Sequence, residues 1–400
     1  MERLTTTERD TLARLDGASM LARTKEWAAI NSGTRNLAGN ATMAGLLADA
    51  AAALPGSVRL VPAAPVDTVA VDGRVEAIGH GDHLHLSVRP GATRRLLFFG
   101  HMDTVYGVDH PFQSLTTRDD GALVGPGVTD MKGGLAVMLA ALSALEAGGV
   151  IDAIGYDVLV NSDEETGSLS SAALIGEVAR GKHAAFGYEP ALPDGTLAGA
   201  RGGTGNFSVV VRGRSAHAGR NPEDGRNALV AAADLAVRLA AARAPTLAVN
   251  PARIDGGGPN NVVPDHAVLR VNFRPRDAAA IEAAGALLRE IADTVARDHD
   301  VAVEVHGLFN RPPKPVDAAA ERLFALVADA GADLGLVIGR RDTGGVCDGN
   351  NVAAAGVPVV DTMGVRGGAI HSSDEYFFTD SLVERAALSA LSILRLGTPA

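Results

Sequence analysis

RRLLFFGHMDTV, residues 94 to 105, contains an apolar run, Leu96 to Phe99, that stops at Gly100 and is followed at once by His101 and, two residues on, Asp103. The run reads as a buried strand. Alternate side chains of an extended segment point the same way, so Asp103 could hold the far nitrogen of His101 while the near one faces a metal. A polar turn after a core strand is the plainer reading of the same letters.

Outward from this strand the chain alternates. Residues 5–28 and 40–54 read as helices on either side of INSGTRNLAG (30–39), and strand candidates follow at 57–63, 67–78, 82–89 and 94–99. MKGGLAVMLAALSALEAGG (131–149) reads as a helix ended by glycine, and YDVLVNSDEE (156–165) returns to a strand. Such alternation predicts an α/β layer with helices covering a mixed, largely parallel sheet.

Between about 205 and 310 the rhythm changes. FSVVVRGR is a strand, NALVAAADLAVRLAAA a helix, AVLRVNFRP a strand, DAAAIEAAGALLREIADTV a helix and VAVEVHG a strand. With a short strand near 251–255 the order is β-α-β-β-α-β, a small unit with its helices on one face. After RPPKP the first kind of domain resumes, with a helix, the strand VPVVDT and a final helix over 379–396. The expected organisation is a catalytic domain in two parts, 1–201 and 312–400, with a lid, 202–311, inserted between them.

A chain of 400 residues suits two domains. Its net charge of -11, without basic tracts, argues against nucleic acid as a partner. The single cysteine, Cys347, excludes an intramolecular disulfide and a cysteine-rich metal site. The N-terminal letters lack an apolar signal core and no stretch has the uninterrupted apolar length of a membrane span, so a cytoplasmic protein with no membrane partner is expected.

Polar signals stand where apolar runs stop: His101 with Asp103, Asp130 in GVTDMKGG, Glu164 with Glu165 in NSDEETG, Glu189 in AAFGYEP, and later His371 in GGAIHSSDE. Ligands of open α/β sheets collect beyond the carboxyl ends of strands, so these side chains could converge. Imidazoles and carboxylates suit zinc, and two metals sharing a carboxylate can clamp a hydrolytic transition state. Singly, each has an ordinary explanation: Asp130 could cap the helix after it, Glu164 and Glu165 could be a solvated turn, and His371 a surface histidine. Of two adjacent glutamates, one can bind metal while the other moves a proton, which is the division of labour amide hydrolysis needs.

HMDTV, GVTDMKGG, NSDEETG, SAHAG, NVVP and IHSSDEY occur in this order, and through them nearly the whole chain resembles the zinc-dependent carboxypeptidase and aminoacylase family. That family includes glutamate carboxypeptidases, acetylornithine deacetylases and succinyl-diaminopimelate desuccinylases; NVVP, RPP and TGG bring the chain nearest the first. The resemblance implies an α/β, di-zinc aminopeptidase-like catalytic domain with an inserted ferredoxin-like α+β lid and dimerisation domain. It also implies two zinc ions per subunit, with cobalt or manganese as other metals such a site accepts. Asp130 would bridge them, His101 and Glu189 would complete one ion and Glu165 and His371 the other. Glu164 would be the general base, Asp103 would orient His101, and the Asp130–Met131 peptide would be cis.

The same resemblance assigns the lid. His217 of SAHAG would reach the active site of a second subunit in a homodimer and stabilise the oxyanion. Asn261, Arg274 and Arg311 would recognise a free α-carboxylate, for which the planar fork of arginine is suited. Read locally, Arg274 is a strand-edge residue and Arg311 flanks a proline turn. The glycines of GRRDTGGVCDGN (339–350), Gly345 among them, would let backbone amides approach substrate. Cys347 reads as a small buried residue rather than a nucleophile. The expected reaction is hydrolysis of a small peptide or amide that releases a C-terminal amino acid with a free carboxylate, glutamate first; the alternative is deacylation of N-acyl amino acids by the same chemistry.

Overall fold

The computed structural model describes residues 4–397, so the first three and last three residues of the expected catalytic segments lie outside it. The stretch 94–105 sits at its centre. Arg94–His101 is a strand of a six-stranded sheet whose order is Ser57–Val61, His83–Val88, Ile154–Asn161, Arg94–His101, Ala184–Gly187 and Val359–Val360. The first two pairings are antiparallel and the last three parallel. Chain order places Ile154–Asn161 on one side of Arg94–His101 and Ala184–Gly187 on the other. The direction of winding therefore switches at the strand that ends in His101, where a crevice opens beyond the carboxyl ends.

Both faces of this sheet are covered, which is why Leu96–Phe99 and Ala184–Phe186 read as unbroken apolar runs. Helix Gly133–Ala147 packs on one face with Gly17–Ala28 and Ser381–Gly397 around it, while Ala172–Ala179 and Asp348–Ala354 cover the other. The segment Val128–Ala147 is long and apolar enough to cross a membrane, but 89% of it is buried inside the fold, as befits a core helix. Its start lies so close to the strand-end loop that a Cβ on Gly134 would meet the Tyr188 carbonyl oxygen.

The inserted unit is a four-stranded antiparallel sheet in the order Leu247–Gly256, His266–Pro275, Thr204–Arg212, Ala302–Arg311, with helices Ala228–Ala241 and Ala278–His299 on one face. This is the ferredoxin-like arrangement expected from the β-α-β-β-α-β order, with its own apolar core around Leu235, Leu269 and Phe273. The chain enters and leaves it side by side: Arg201 and Lys314 exchange backbone hydrogen bonds of 2.9 and 3.0 Å.

Several elements differ from the sequence reading. The helix over 5–28 is two helices, Thr6–Leu12 and Gly17–Ala28, because Asp16 caps the second by accepting from the Ala18 amide at 3.0 Å. The helix over 40–54 starts earlier, at Leu37, capped by Asn36. The strand over 67–78 is a hairpin, Val66–Val69 and Val75–Ile78, turned through Asp72 and Gly73, the latter at φ 77°. This hairpin docks on the open face of the inserted sheet, where Arg270 donates to the carbonyls of Val69 and Ala70 at 2.7 and 3.1 Å. A further small sheet, Gly367–Gly368, Tyr376–Phe378, Ala122–Val124 and Thr116–Thr117, frames the loops that bear Asp130 and His371.

Candidate functional site

The polar side chains of the crevice stand at or just beyond the ends of the parallel strands: His101 ends its own, Glu164 and Glu165 follow Asn161, and Glu189 follows Gly187. His101 closes its strand with Nε2 3.0 Å from Asp130 Oδ1 and 3.9 Å from Glu189 Oε2. The other oxygen of Asp130 lies 3.4 Å from Nε2 of His371, whose ring is also 3.2 Å from Glu165 Oε2. Asp130 thus stands between two imidazoles and turns one oxygen to each. His101, Asp130 and Glu165 offer ligand atoms that all lie within 4.8 Å of one another.

The loop that presents Asp130 is held from behind. Gly127 provides a left-handed turn at φ 69°, the Asp130–Met131 peptide is cis, and the amides of Gly127, Thr129 and Asp130 donate to the carboxylate of Glu375 at 3.2, 2.9 and 3.0 Å. Tyr106 donates to the same carboxylate at 2.8 Å. Glu375 was not singled out in the sequence, although it stands four residues after His371 in the same motif. His371 comes from the hairpin loop between Gly368 and Tyr376, at φ 63°, and is the exposed member of the cluster, its side chain 53% accessible.

Burial sets the electrostatics. It pushes Glu165 up to about 8, helped by the charge of Asp130, and raises Glu189. For Asp130 burial acts the same way but is outweighed by the hydrogen bonds to His101 and His371, so its carboxyl stays low. The bonds to Asp130 and Glu165 in turn raise His371 to about 11. Glu165 and His371 are thus both driven to keep protons, the sign of an excess of negative charge in the cluster. A divalent cation would neutralise the same charge, and imidazole nitrogen with carboxylate oxygen is the donor set zinc takes. The side chains fit a metal on those grounds.

Glu164 lies beside this cluster, in the turn after the Ile154–Asn161 strand, and burial raises it to about 7 against the pull of Arg311. Two of the expected residues make further contacts here. Arg311, expected to recognise a substrate carboxylate, is only 5% exposed; its guanidinium sits 2.7 Å from Glu164 Oε1 and donates to the Glu164 carbonyl and Ser168 Oγ, both at 2.8 Å. It is turned inward because it ends the last strand of the inserted sheet, where the chain re-enters the core. Asp103, expected to hold His101 through its carboxylate, does so mainly through its carbonyl oxygen, 3.0 Å from Nδ1 against 3.4 Å for Oδ1. Its carboxylate instead accepts from the amides of Glu164 and Glu165 at 3.1 and 3.2 Å, fixing the turn that bears both glutamates.

Two cavities flank the cluster and share Glu164, Glu165, His371 and Gly345 in their walls. One, of ≈ 420 Å³, is closed on the lid side by Arg274, whose guanidinium is exposed and donates to Asn272 at 2.8 Å. The other, of ≈ 520 Å³, runs under the glycine-rich segment past Arg201 and Thr343. Gly345 lines both cavities, with its carbonyl accepting from Arg201 at 3.2 Å. Arg201, buried and paired to Asp361 at 2.8 and 3.1 Å, carried no signal in the sequence. Cys347 is buried with its thiol pushed well up by that burial, as a packing residue would be. His217 and Asn261 are exposed neighbours on the inserted unit, joined by the Ala218 amide donating to the Asn261 carbonyl at 3.0 Å, and line neither cavity.

Comparison with known proteins agrees with this geometry. The family described as Peptidase family M20/M25/M40 matches residues 97–395. Carboxypeptidase G2 of Pseudomonas sp. (strain RS-16) is 31% identical over 325 residues, 79% of this chain and 77% of that protein. A succinyl-diaminopimelate desuccinylase of Verminephrobacter eiseniae (strain EF01-2) is 28% identical over 71% of this chain and 74% of its own. Among solved structures, a tripeptidase from Staphylococcus aureus superposes with a TM-score of 0.74 at 22% identity, covering 96% of this chain and 99% of that one, which speaks for the fold alone.

Proposed function

The chain belongs to peptidase family M20/M25/M40 and is a metal-dependent hydrolase of peptide or amide bonds; we propose that it releases a C-terminal amino acid with a free α-carboxylate, glutamate first. The name of carboxypeptidase G2 marks that relative as a carboxypeptidase, and the position of Arg274 beside the metal-type cluster supports the same outcome here. The observation that carries the reading is the Asp130 carboxylate shared between His101 and His371, with Glu164 adjacent. Deacylation of N-acyl amino acids is the second reading, favoured by the similarity to succinyl-diaminopimelate desuccinylases.

In this reading His101, Asp130 and Glu189 would hold one zinc ion and Asp130, Glu165 and His371 a second. Such ions would supply polarisation of the scissile carbonyl and a more acidic water. Glu164 takes the proton of the attacking water and returns it to the departing nitrogen, which a carboxyl raised toward neutrality by burial does well. Arg311 and the amide contacts of Asp103 keep Glu164 pointed at the bond. Arg274 receives the α-carboxylate of the part to be released.

The unit 202–311 acts as lid and dimerisation domain in this reading. Its helix Ala228–Ala241 leaves Leu229, Val230 and Val237 exposed on one side, next to the outer edge of the Leu247–Gly256 strand, and a second copy would cover both. His217 and Asn261 would then be delivered to the neighbour's crevice. Zinc-loaded protein incubated with dipeptides, aroyl- and acylglutamates and N-acyl amino acids, with released amino acids identified by mass spectrometry, tests the assignment. Preferential glutamate release from peptide or aroyl substrates supports the carboxypeptidase reading, preference for simple acyl amino acids favours deacylation, and no release of any amino acid defeats both.

A further inference from the structure

The cavity of ≈ 520 Å³ lies across the metal-type cluster from Arg274. If the released amino acid lies on the Arg274 side, the acyl part of the substrate lies here. This volume is that of a pocket for a sizeable ligand, not for a single carbon or two. One end is the acidic cluster. The far end is formed by the two parallel strands Leu197–Arg201 and Arg340–Thr343 and is different in charge.

Arg341 pairs with Ala198 in that ladder and reaches the cavity wall together with Thr343, the residue two positions on and on the same face of the strand. Its guanidinium makes no hydrogen bond or ion pair among the described residues, and the acid that feels its charge, Asp194, is fully exposed. Its neighbours on the strand are engaged elsewhere. Arg340 pairs with Glu321 at 2.7 Å and covers the Phe324 ring, and Asp342, which also reaches the wall, accepts from the Ala200 amide at 2.8 Å. Behind the wall Arg201 and Lys314 share one carboxylate, Asp361, at 2.8 and 2.9 Å. With Arg341, three cations stand against two carboxylates at this end of the cavity, Asp361 behind the wall and Asp342 in it.

We propose that Arg341 is a specificity-determining residue that binds a second anionic group, a carboxylate at the end of the acyl part, so that the preferred substrates are half-amides of dicarboxylic acids. The proposal rests on the hydrolase reading above and extends it to the acyl side. An arginine fork left unpaired at the end of a pocket is the group that would recognise a carboxylate there, with the Thr343 hydroxyl beside it.

The test compares kcat/KM of the full-length, metal-loaded enzyme on N-succinyl-, N-glutaryl- and N-adipoylglutamate, each against its alkanoyl counterpart of equal length. The best diacid is expected to exceed its neutral partner by about tenfold or more, the size of a charge-assisted hydrogen bond. Arg341→Gln should bring that ratio close to one, and Arg341→Glu should turn the preference toward an acyl part ending in an ammonium, such as 4-aminobutyryl. A wild type indifferent to all three diacids, or a preference that survives Arg341→Gln, overturns the proposal. Calorimetric binding of the same ligands separates the two readings: if nothing is cleaved but a diacid binds in an Arg341-dependent way, the hydrolase reading fails and the anion site stands.

Discussion

The guanidinium of Arg311 lies 2.7 Å from the carboxylate of Glu164, both buried, in the wall of the cavity that Arg274 closes. Removing one member of a buried pair leaves the other uncompensated, a loss of roughly 3–5 kcal/mol. Arg311→Gln should accordingly lower the melting temperature and reduce kcat on the order of 10²-fold while KM moves little. A variant in which KM alone rises would return Arg311 to carboxylate binding.

Glu164→Gln should keep its metal, measured by elemental mass spectrometry, and lose turnover by roughly 10²- to 10⁴-fold. Unchanged turnover in metal-replete protein would remove Glu164 from its role as base.

Arg274 is an exposed arginine in the wall of the cavity beside the cluster, and its contribution should depend on the ligand. Arg274→Ala is expected to raise KM about tenfold or more for substrates with a free α-carboxylate and to leave the already poor cleavage of their C-terminal amides nearly as it was. An equal loss on acids and amides would count against a carboxylate contact.

The apolar face of helix Ala228–Ala241 gives a separate handle on the lid. Val230→Asp should yield a monomer by sedimentation, with metal content retained and turnover down by at least tenfold, because His217 could no longer be supplied by a neighbour. Full activity in a verified monomer would show that each chain completes its own site.

Far from the crevice, Asp157 is bound by His85 at 2.8 Å, Arg95 at 2.5 Å and Lys182 at 3.0 Å. Burial would raise its carboxyl, but these partners hold it down to about 2 against an ordinary 3.8. A carboxyl lowered on folding stabilises the fold above its unfolded value and loses that contribution as pH falls through the folded one. The melting temperature of Asp157→Asn should therefore lie several degrees below wild type above pH 4, with the gap closing toward pH 2. A constant gap would mean the network acts through packing alone.

Much of this was legible in the letters. The strand just before His101, the buried helix after Asp130, the β-α-β-β-α-β order and the inserted position of that unit all follow from period and punctuation, which local sequence encodes. The turn in the Val66–Ile78 hairpin was also encoded, in the Asp72-Gly73 pair, yet the apolar letters on either side read as one strand. Gly367–Gly368 and Val359–Val360 are too short to show any period. The orientations of Arg311 and Asp103 were not legible, because whether a side chain turns to a ligand or to a neighbour depends on what the fold puts behind it. Arg201 is the extreme case: nothing near it in the chain announces Asp361, its partner 160 positions on.

The neck formed by Arg201 and Lys314 also bears on the order in which the molecule assembles. The central sheet cannot add Val359–Val360 until more than a hundred intervening residues have been brought back to their starting point, an entropic cost that a disordered insert would impose in full. The inserted unit brings its own ends together as it folds, since its first and last strands are neighbours in one sheet. Once it has formed, the remainder of the chain behaves as though the excursion were a tight turn.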